Sequence, residues 1–240
     1  MPFPTLPRLR WLLCLGATFT FAGSPVRSGT VEDYNLWFHY SLTGPLGSSQ
    51  NGATPWRYTF DSPNRFGDNA RRFSQGVWRG GIGYTLTPQW SVWVGYGYSD
   101  TDVPYTRTPF GEHRPFQQVT WTGQQGKFSL NFRHRLEQRL PDTGRDTGLR
   151  TRHQLRALHP VAGEPHLSLV FANEIFFNLN ATDYGARRGL DQNRAFGGLG
   201  WKWSEIVRTE TGYLNHYTRR PGRDGRMNHV WLINVALTFK

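Results

Sequence analysis

The sequence predicts an all-β protein, a single antiparallel up-and-down transmembrane β-barrel of about ten strands, with twelve as the alternative. Three observations carry this prediction. Polar and apolar side chains alternate along most of the chain, short and long connections alternate between the resulting strands, and the chain ends in a strand that carries Phe239. Together these features are typical of a barrel whose apolar face meets lipid and whose polar face lines the interior.

The clearest alternation lies in residues 127–140. Successive side chains of a strand point to opposite faces, so Arg133, Arg135 and Glu137 share one face while Phe132 and Leu136 lie on the other. In a soluble barrel the apolar face would turn to the core. In a membrane barrel the faces are inverted, and the charged face lines the interior.

Nine more runs show the same period and reach about the 9–11 residues that a tilted spanning strand needs. They cover residues 31–42, 73–86, 90–98, 114–123, 148–159, 167–178, 190–203, 206–217 and 231–239. A shorter run, residues 56–60, leaves the strand number open. Ten strands follow if residues 44–72 form one long loop, and twelve follow if 56–60 is a strand with an unrecognised partner.

The N-terminus predicts an exported protein. Arg8 and Arg10 precede an apolar stretch, residues 11–21, and Ala22 completes a small-x-small cleavage pattern. We therefore expect a secretory signal peptide over residues 1–22, a single outer-membrane β-barrel domain over residues 23–240, and localisation in the bacterial outer membrane.

Composition excludes several other classes. A hydrophobic content of 37% and a mean hydropathy of −0.59 exclude a bundle of membrane helices, and 15% aromatic residues argue against disorder. One cysteine excludes a disulfide framework and a CxxC metal site. Nearly all of the 28 cationic residues are arginines. Since these are spread at alternate strand positions rather than clustered, we expect no nucleic-acid partner despite a pI near 10.3.

Several motifs occur in an order that resembles a known family. They include Arg79-Gly-Gly-Ile-Gly-Tyr84, Phe132-Arg-His-Arg-Leu-Glu-Gln-Arg139, Asn173-Glu-Ile-Phe-Phe-Asn178, Asp191-Gln-Asn-Arg194 and Gly212-Tyr-Leu-Asn215. The resemblance covers residues 73–240 and is to domain-of-unknown-function family 2490, outer-membrane β-barrel proteins of Gram-negative bacteria. It implies an exported barrel and no particular activity.

The alternation also predicts which charged and polar residues line the interior, a set that we call the charge ladder. Its members are Arg79, Arg114, Arg133, Arg135, Glu137, Arg139, Arg150, Arg152, Arg156, Glu174, Gln192, Arg194 and Glu210. Two interpretations stay open. Ion pairs and hydrogen bonds could fill a narrow barrel for structural reasons. Alternatively, nine arginines against three glutamates could hold a small anionic ligand, or favour anions in a pore.

The remaining hypotheses concern the surface and catalysis. Four arginines form a predicted cationic patch on an outer loop that could contact lipopolysaccharide phosphates: Arg219, Arg220, Arg223 and Arg226. We expect a monomeric, non-enzymatic barrel of unknown specific role that contacts outer-membrane lipid and needs no cofactor or metal. The alternative is a lipid-modifying barrel enzyme, although no catalytic motif is present and His134 and His153 lack a matching serine.

Overall fold

The computed structural model describes residues 30–47, 54–220, 222 and 224–240, and these residues form a closed, all-β barrel. The predicted signal peptide, residues 1–22, lies outside the described residues. Eleven strands follow one another along the chain: β1 (Val31–Pro45), β2 (Trp56–Gly67), β3 (Arg72–Thr85), β4 (Trp90–Thr101), β5 (Phe110–Gln125), β6 (Phe128–Pro141), β7 (Gly148–Val161), β8 (Glu164–Asn178), β9 (Gly189–Lys202), β10 (Val207–Thr218) and β11 (Arg226–Thr238).

The barrel closes through a parallel pair, which corrects the predicted strand number. Each strand pairs antiparallel with the next, but β1 and β11 run parallel, with Leu36 opposite Trp231. The sequence prediction assumed an even number of antiparallel strands. A parallel closing pair accommodates an odd number, so the barrel has eleven strands and neither ten nor twelve.

The eleventh strand is β2, which lies inside the predicted 44–72 loop and extends the weak 56–60 run. Its pairing with β3 proceeds from Trp56 to Asp61 and resumes at Asn64. The interruption contains Pro63, which has no N–H to donate and therefore suits a gap in the hydrogen-bond ladder. This proline and the polar residues around it break the apolar alternation that marks the other strands.

The two ends of the barrel differ in their connections. At the end we call the long-loop end lie the connections 102–109, 142–147, 179–188 and 219–225, together with the tight turn 68–71. At the short-turn end lie 86–89, 126–127, 162–163 and 203–206, and also the longer connection 46–55. β1 and β11 run parallel, so both strands begin at the long-loop end and both end at the short-turn end.

The outer face is apolar and the inner face is largely polar. Large hydrophobic side chains such as Tyr34, Val94 and Trp231 are exposed on the outside, whereas buried residues include many arginines and glutamates. One side of the interior is apolar, where Trp37 and Phe196 belong to a buried cluster. Among the described residues, no helix has the length and hydropathy needed to cross a membrane.

Candidate functional site

The structure places the charge-ladder residues on the inner face of the barrel. Several of their contacts join strands that are not neighbours. Arg133 on β6 donates to Glu174 on β8 at 2.7 Å, and Arg156 on β7 donates to Glu210 on β10. In a closed barrel, side chains of non-adjacent strands can meet in this way only across the interior.

Ion pairs fill the half of the interior near the long-loop end. Glu112 is fully buried and accepts hydrogen bonds from Arg114 Nε at 2.7 Å and from Arg139 Nε at 2.6 Å. Glu137, also buried, accepts from Arg150 Nη2 at 2.8 Å. Since each carboxylate has guanidinium partners with good geometry, this part of the network offsets much of the cost of burying its charges.

The middle of the barrel has fewer acids than arginines. Glu174 accepts hydrogen bonds from Arg152 Nε at 2.9 Å and from Arg133 Nη2 at 2.7 Å. Its second oxygen lies 3.6 Å from Arg194 Nη1. One buried carboxylate is therefore shared by three guanidinium groups, although Arg152 also reaches Glu137 at 2.7 Å.

Aromatic rings stabilise some of the arginine charges that outnumber the buried carboxylates. The guanidinium carbon of Arg65 lies 4.2 Å from the centre of the Trp37 ring, and that of Arg194 lies 5.1 Å from it. Arg194 and Arg152 also lie over Phe176, each at 4.6 Å. Such contacts stabilise a desolvated cation but leave its N–H groups without acceptors.

The connection between β4 and β5 folds into the long-loop end. The Tyr105 hydroxyl donates to Asn35 and accepts a hydrogen bond from Trp37 Nε1 at 3.1 Å. Arg226 Nη1 donates to the carbonyl oxygen of Pro104 at 2.8 Å. Burial raises the pKa of the Tyr105 hydroxyl, so it stays neutral at physiological pH. This connection and the ion pairs beside it fill the interior at that end.

A cavity of about 550 Å³ occupies the rest of the interior. Thr43 and Thr238, near the ends of β1 and β11, belong to its lining, so it extends to the short-turn end. Five arginines of the charge ladder line it together with Arg65 and Arg208, against two glutamates. Asp61 lies outside the lining and neutralises one of these arginines, Arg79, by accepting from its Nε at 2.9 Å. The cavity is therefore strongly cationic.

Three of the lining arginines have unused donors. The Nε atoms of Arg65, Arg133 and Arg194 are buried and lack a hydrogen-bond partner. Arg65 donates from Nη1 to Gln75, and no carboxylate of the described residues lies within ion-pair distance of its guanidinium. A buried donor without an acceptor is costly, so the protein's own groups do not fully satisfy these guanidinium groups.

The sequence missed residues that belong to the interior network. Glu112 lies in β5 but precedes the predicted strand 114–123. Asp61 and Arg65 lie in β2, which was predicted only as a short run within a loop. A signal for Glu112 was present, because it continues the alternation through Arg114 toward the N-terminus of its strand.

The predicted cationic patch is smaller than expected. Arg219 is exposed and Arg220 is partly exposed, while Arg223 lies outside the described residues. Arg226 does not lie on the loop surface with them. It is the first residue of β11, and it donates from Nη2 to Asp33 at 2.9 Å, because its inward position on the strand brings it to this carboxylate.

Two further features bear on catalysis. His134 and His153 are paired through their Nδ1 atoms at 3.1 Å on the outer face. This pair lies away from the interior carboxylates. In the part of the chain that the structure describes, no three His, Cys, Asp or Glu side chains converge as metal ligands.

Fold and site together define a class: a closed β-barrel with an apolar exterior and an arginine-rich interior cavity. The chain belongs to the family described as "Protein of unknown function (DUF2490)", whose model matches residues 34–228. It is also 29% identical over 229 residues to an uncharacterised protein of Methylorubrum extorquens, and the match covers 95% of each chain. No solved structure matches it significantly. The resemblance to this family is therefore confirmed.

Proposed function

We propose that this protein is a non-enzymatic outer-membrane β-barrel that binds a small anion in its interior cavity. One observation carries the proposal: the cavity is lined by more arginines than acids, and three of those arginines hold buried Nε donors without acceptors. A purely structural ladder would be expected to pair its charges, because unpaired buried charge is destabilising.

The outer surface supports the membrane part of the proposal. Many of its exposed side chains are large and hydrophobic, which in water would be an unusually large hydrophobic surface. Aromatic clusters lie near both ends, as interfacial girdles do. Trp78 stacks on Tyr98 toward the long-loop end, and Trp201 contacts Trp203 toward the short-turn end.

In bacterial outer-membrane barrels the short turns face the periplasm. With this orientation the cavity receives its ligand from the periplasm, and the filled long-loop end separates it from the exterior. The exposed Arg219 and the partly exposed Arg220 then lie at the outer leaflet, where guanidinium groups suit lipopolysaccharide phosphates. The protein acts in this proposal as a periplasm-facing anion receptor and not as a channel.

Introducing a charge into the outer face tests the membrane placement. Val94 is 63% exposed near the middle of β4. In a bilayer, Val94→Arg should lower the free energy of unfolding by about 2–4 kcal/mol, because a cation would be placed among lipid chains. Urea titration of protein folded in lipid vesicles measures the loss, with Val94→Leu as the control. If Val94→Arg is as stable as the control, the outer face does not contact lipid.

Titration calorimetry with inorganic phosphate tests the anion site. At constant ionic strength, we expect saturable binding of one phosphate to the folded barrel. Absence of saturable heat would contradict the proposal.

Conductance measurements test whether the interior is open. The same preparation in planar bilayers should show no discrete conductance steps, because side chains and the β4–β5 connection fill the long-loop end. Steps selective for anions would instead support the pore hypothesis.

A further inference from the structure

The walls of the interior cavity differ in chemistry. Arg65 and Arg194 present guanidinium groups at its inner end, over Trp37, and Arg133 belongs to the same lining. Strands β8 to β11 present an apolar surface, formed by Ala172, Phe196, Leu214, Leu232 and Ala236. We propose that the ligand is an amphipathic organic anion, with a phosphate or carboxylate head and an apolar group attached to it; this inference rests on the proposed function.

The register of β1 and β11 shows where the guanidinium groups and the apolar side chains lie along the cavity. Trp37 lies opposite Leu232, and from there the strands proceed to Thr43 and Thr238 at the short-turn end. Ala236 lies between these levels on β11. The apolar wall therefore lies mainly at the depth of the guanidinium groups, and Asn234 and Glu210 line the cavity between it and the open end. A head group held by Arg65 and its neighbours would place an attached apolar group along this wall.

An inorganic anion would neutralise the arginines without contacting the apolar wall, which would then stay in contact with water. Phe196 and Leu214 are buried in the cluster around Trp37, but Leu232 is only partly buried and faces the cavity. An apolar group placed against Leu232 removes additional nonpolar surface from water, which stabilises the complex in proportion to the area covered. A cavity of about 550 Å³ has room for both parts of such a ligand.

Methyl phosphate and phenyl phosphate separate the two contributions, because both are phosphate monoesters and differ mainly in the apolar group. We expect calorimetric titration of the full barrel in detergent micelles to show at least about tenfold tighter binding of phenyl phosphate. Leu232→Thr should remove most of this preference, measured as the ratio of the affinities for the two esters. Titration of protein-free micelles corrects for partition of the phenyl ester.

The outcomes distinguish this inference from the proposed function. Equal affinities for the two esters would overturn the amphipathic ligand and leave an anion site standing. Binding of neither ester would overturn both. A phenyl preference that persists in Leu232→Thr would place the apolar contact elsewhere and overturn the assignment. If Leu232→Thr does not fold, nuclear Overhauser contacts between the phenyl protons and the methyl groups of Leu214 and Leu232 in the native chain decide the same point, since their absence contradicts it.

Discussion

Replacing Glu174 by glutamine should strongly destabilise the barrel. Glu174 is 5% exposed and lies within 4 Å of Arg133, Arg152 and Arg194. Glu174→Gln keeps the size of the side chain but removes the charge shared by the three guanidinium groups. Breaking a buried ion pair from one side costs about 3–5 kcal/mol, so we expect a loss of that order in the free energy of unfolding. Urea titration in vesicles measures it.

Glu205→Gln is the matched control for this variant. Glu205 lies in the turn between β9 and β10, and hydrogen bonds from Lys202 and Lys240 lower its carboxyl pKa to about 2. Because its ion pairs are exposed, their removal should leave the unfolding curve unchanged. If Glu174→Gln is as stable as this control, the interior carboxylate does not hold the network together.

The same substitution should have the opposite effect on binding. A carboxylate beside the guanidinium groups repels an incoming anion, so its neutralisation should tighten phosphate binding. Calorimetry of Glu174→Gln, in conditions where it remains folded, measures the change. Unchanged phosphate affinity in the folded variant would show that phosphate is bound away from Glu174.

Replacing Arg65 and Arg194 by methionine should abolish phosphate binding without destabilising the protein. Their Nε donors lack acceptors, and their guanidinium groups lie over the same ring, that of Trp37. Charged hydrogen bonds contribute about 1.5–3 kcal/mol each, so losing both residues should weaken phosphate binding at least a hundredfold. Arg65 has no carboxylate partner among the described residues, and Glu174 keeps Arg133 and Arg152 when Arg194 is removed, so stability should change little.

The phosphate affinity and the stability of the double variant together distinguish a binding site from a structural ladder. If the two arginines only support the fold, their replacement should lower the free energy of unfolding and have no bearing on anions. Arg145→Met is the control, because Arg145 is exposed in the β6–β7 connection and its removal changes the net charge without altering the interior. Unchanged phosphate affinity in the double variant, or a loss of several kcal/mol in its stability, would contradict the anion site.

Combining the interior substitutions tests whether they act on one network. Glu174→Gln leaves the guanidinium groups without their shared carboxylate, so removing Arg194 as well should recover part of the lost stability. Residues in contact typically show interaction energies of about 0.5–3 kcal/mol in such cycles. Strictly additive effects would mean that the 3.6 Å approach of Arg194 to Glu174 contributes nothing measurable.

The sequence predicted the barrel because alternation is a local property. In β6, for example, Arg133, Arg135, Glu137 and Arg139 follow the period that strand geometry requires. The strand number was wrong because it depends on closure, which is not local. In an up-and-down barrel the first and last strands run parallel when the number of strands is odd. The sequence did not reveal this number, because β2 is polar and was not recognised as a full strand.

The site was predicted in part for the same reason. The inner face of each recognised strand could be read from the alternation, but the partners of a charge depend on which strands meet across the interior. Glu112 and Asp61 were missed where strands were cut short or unrecognised, so the number of interior acids was underestimated. The excess of arginines survives this correction, and around the cavity Arg65 joins the charge-ladder residues.

Anomalous diffraction tests the interior anion site most directly. Crystals of the full barrel grown with tungstate, a heavy tetrahedral anion, would locate bound anions without reference to any assay. We expect an ordered tungsten peak inside the cavity, within hydrogen-bond distance of the guanidinium groups of Arg65 and Arg194, that is lost when both residues are methionine. Peaks confined to exposed residues such as Arg219, with an empty cavity, would contradict the proposed function.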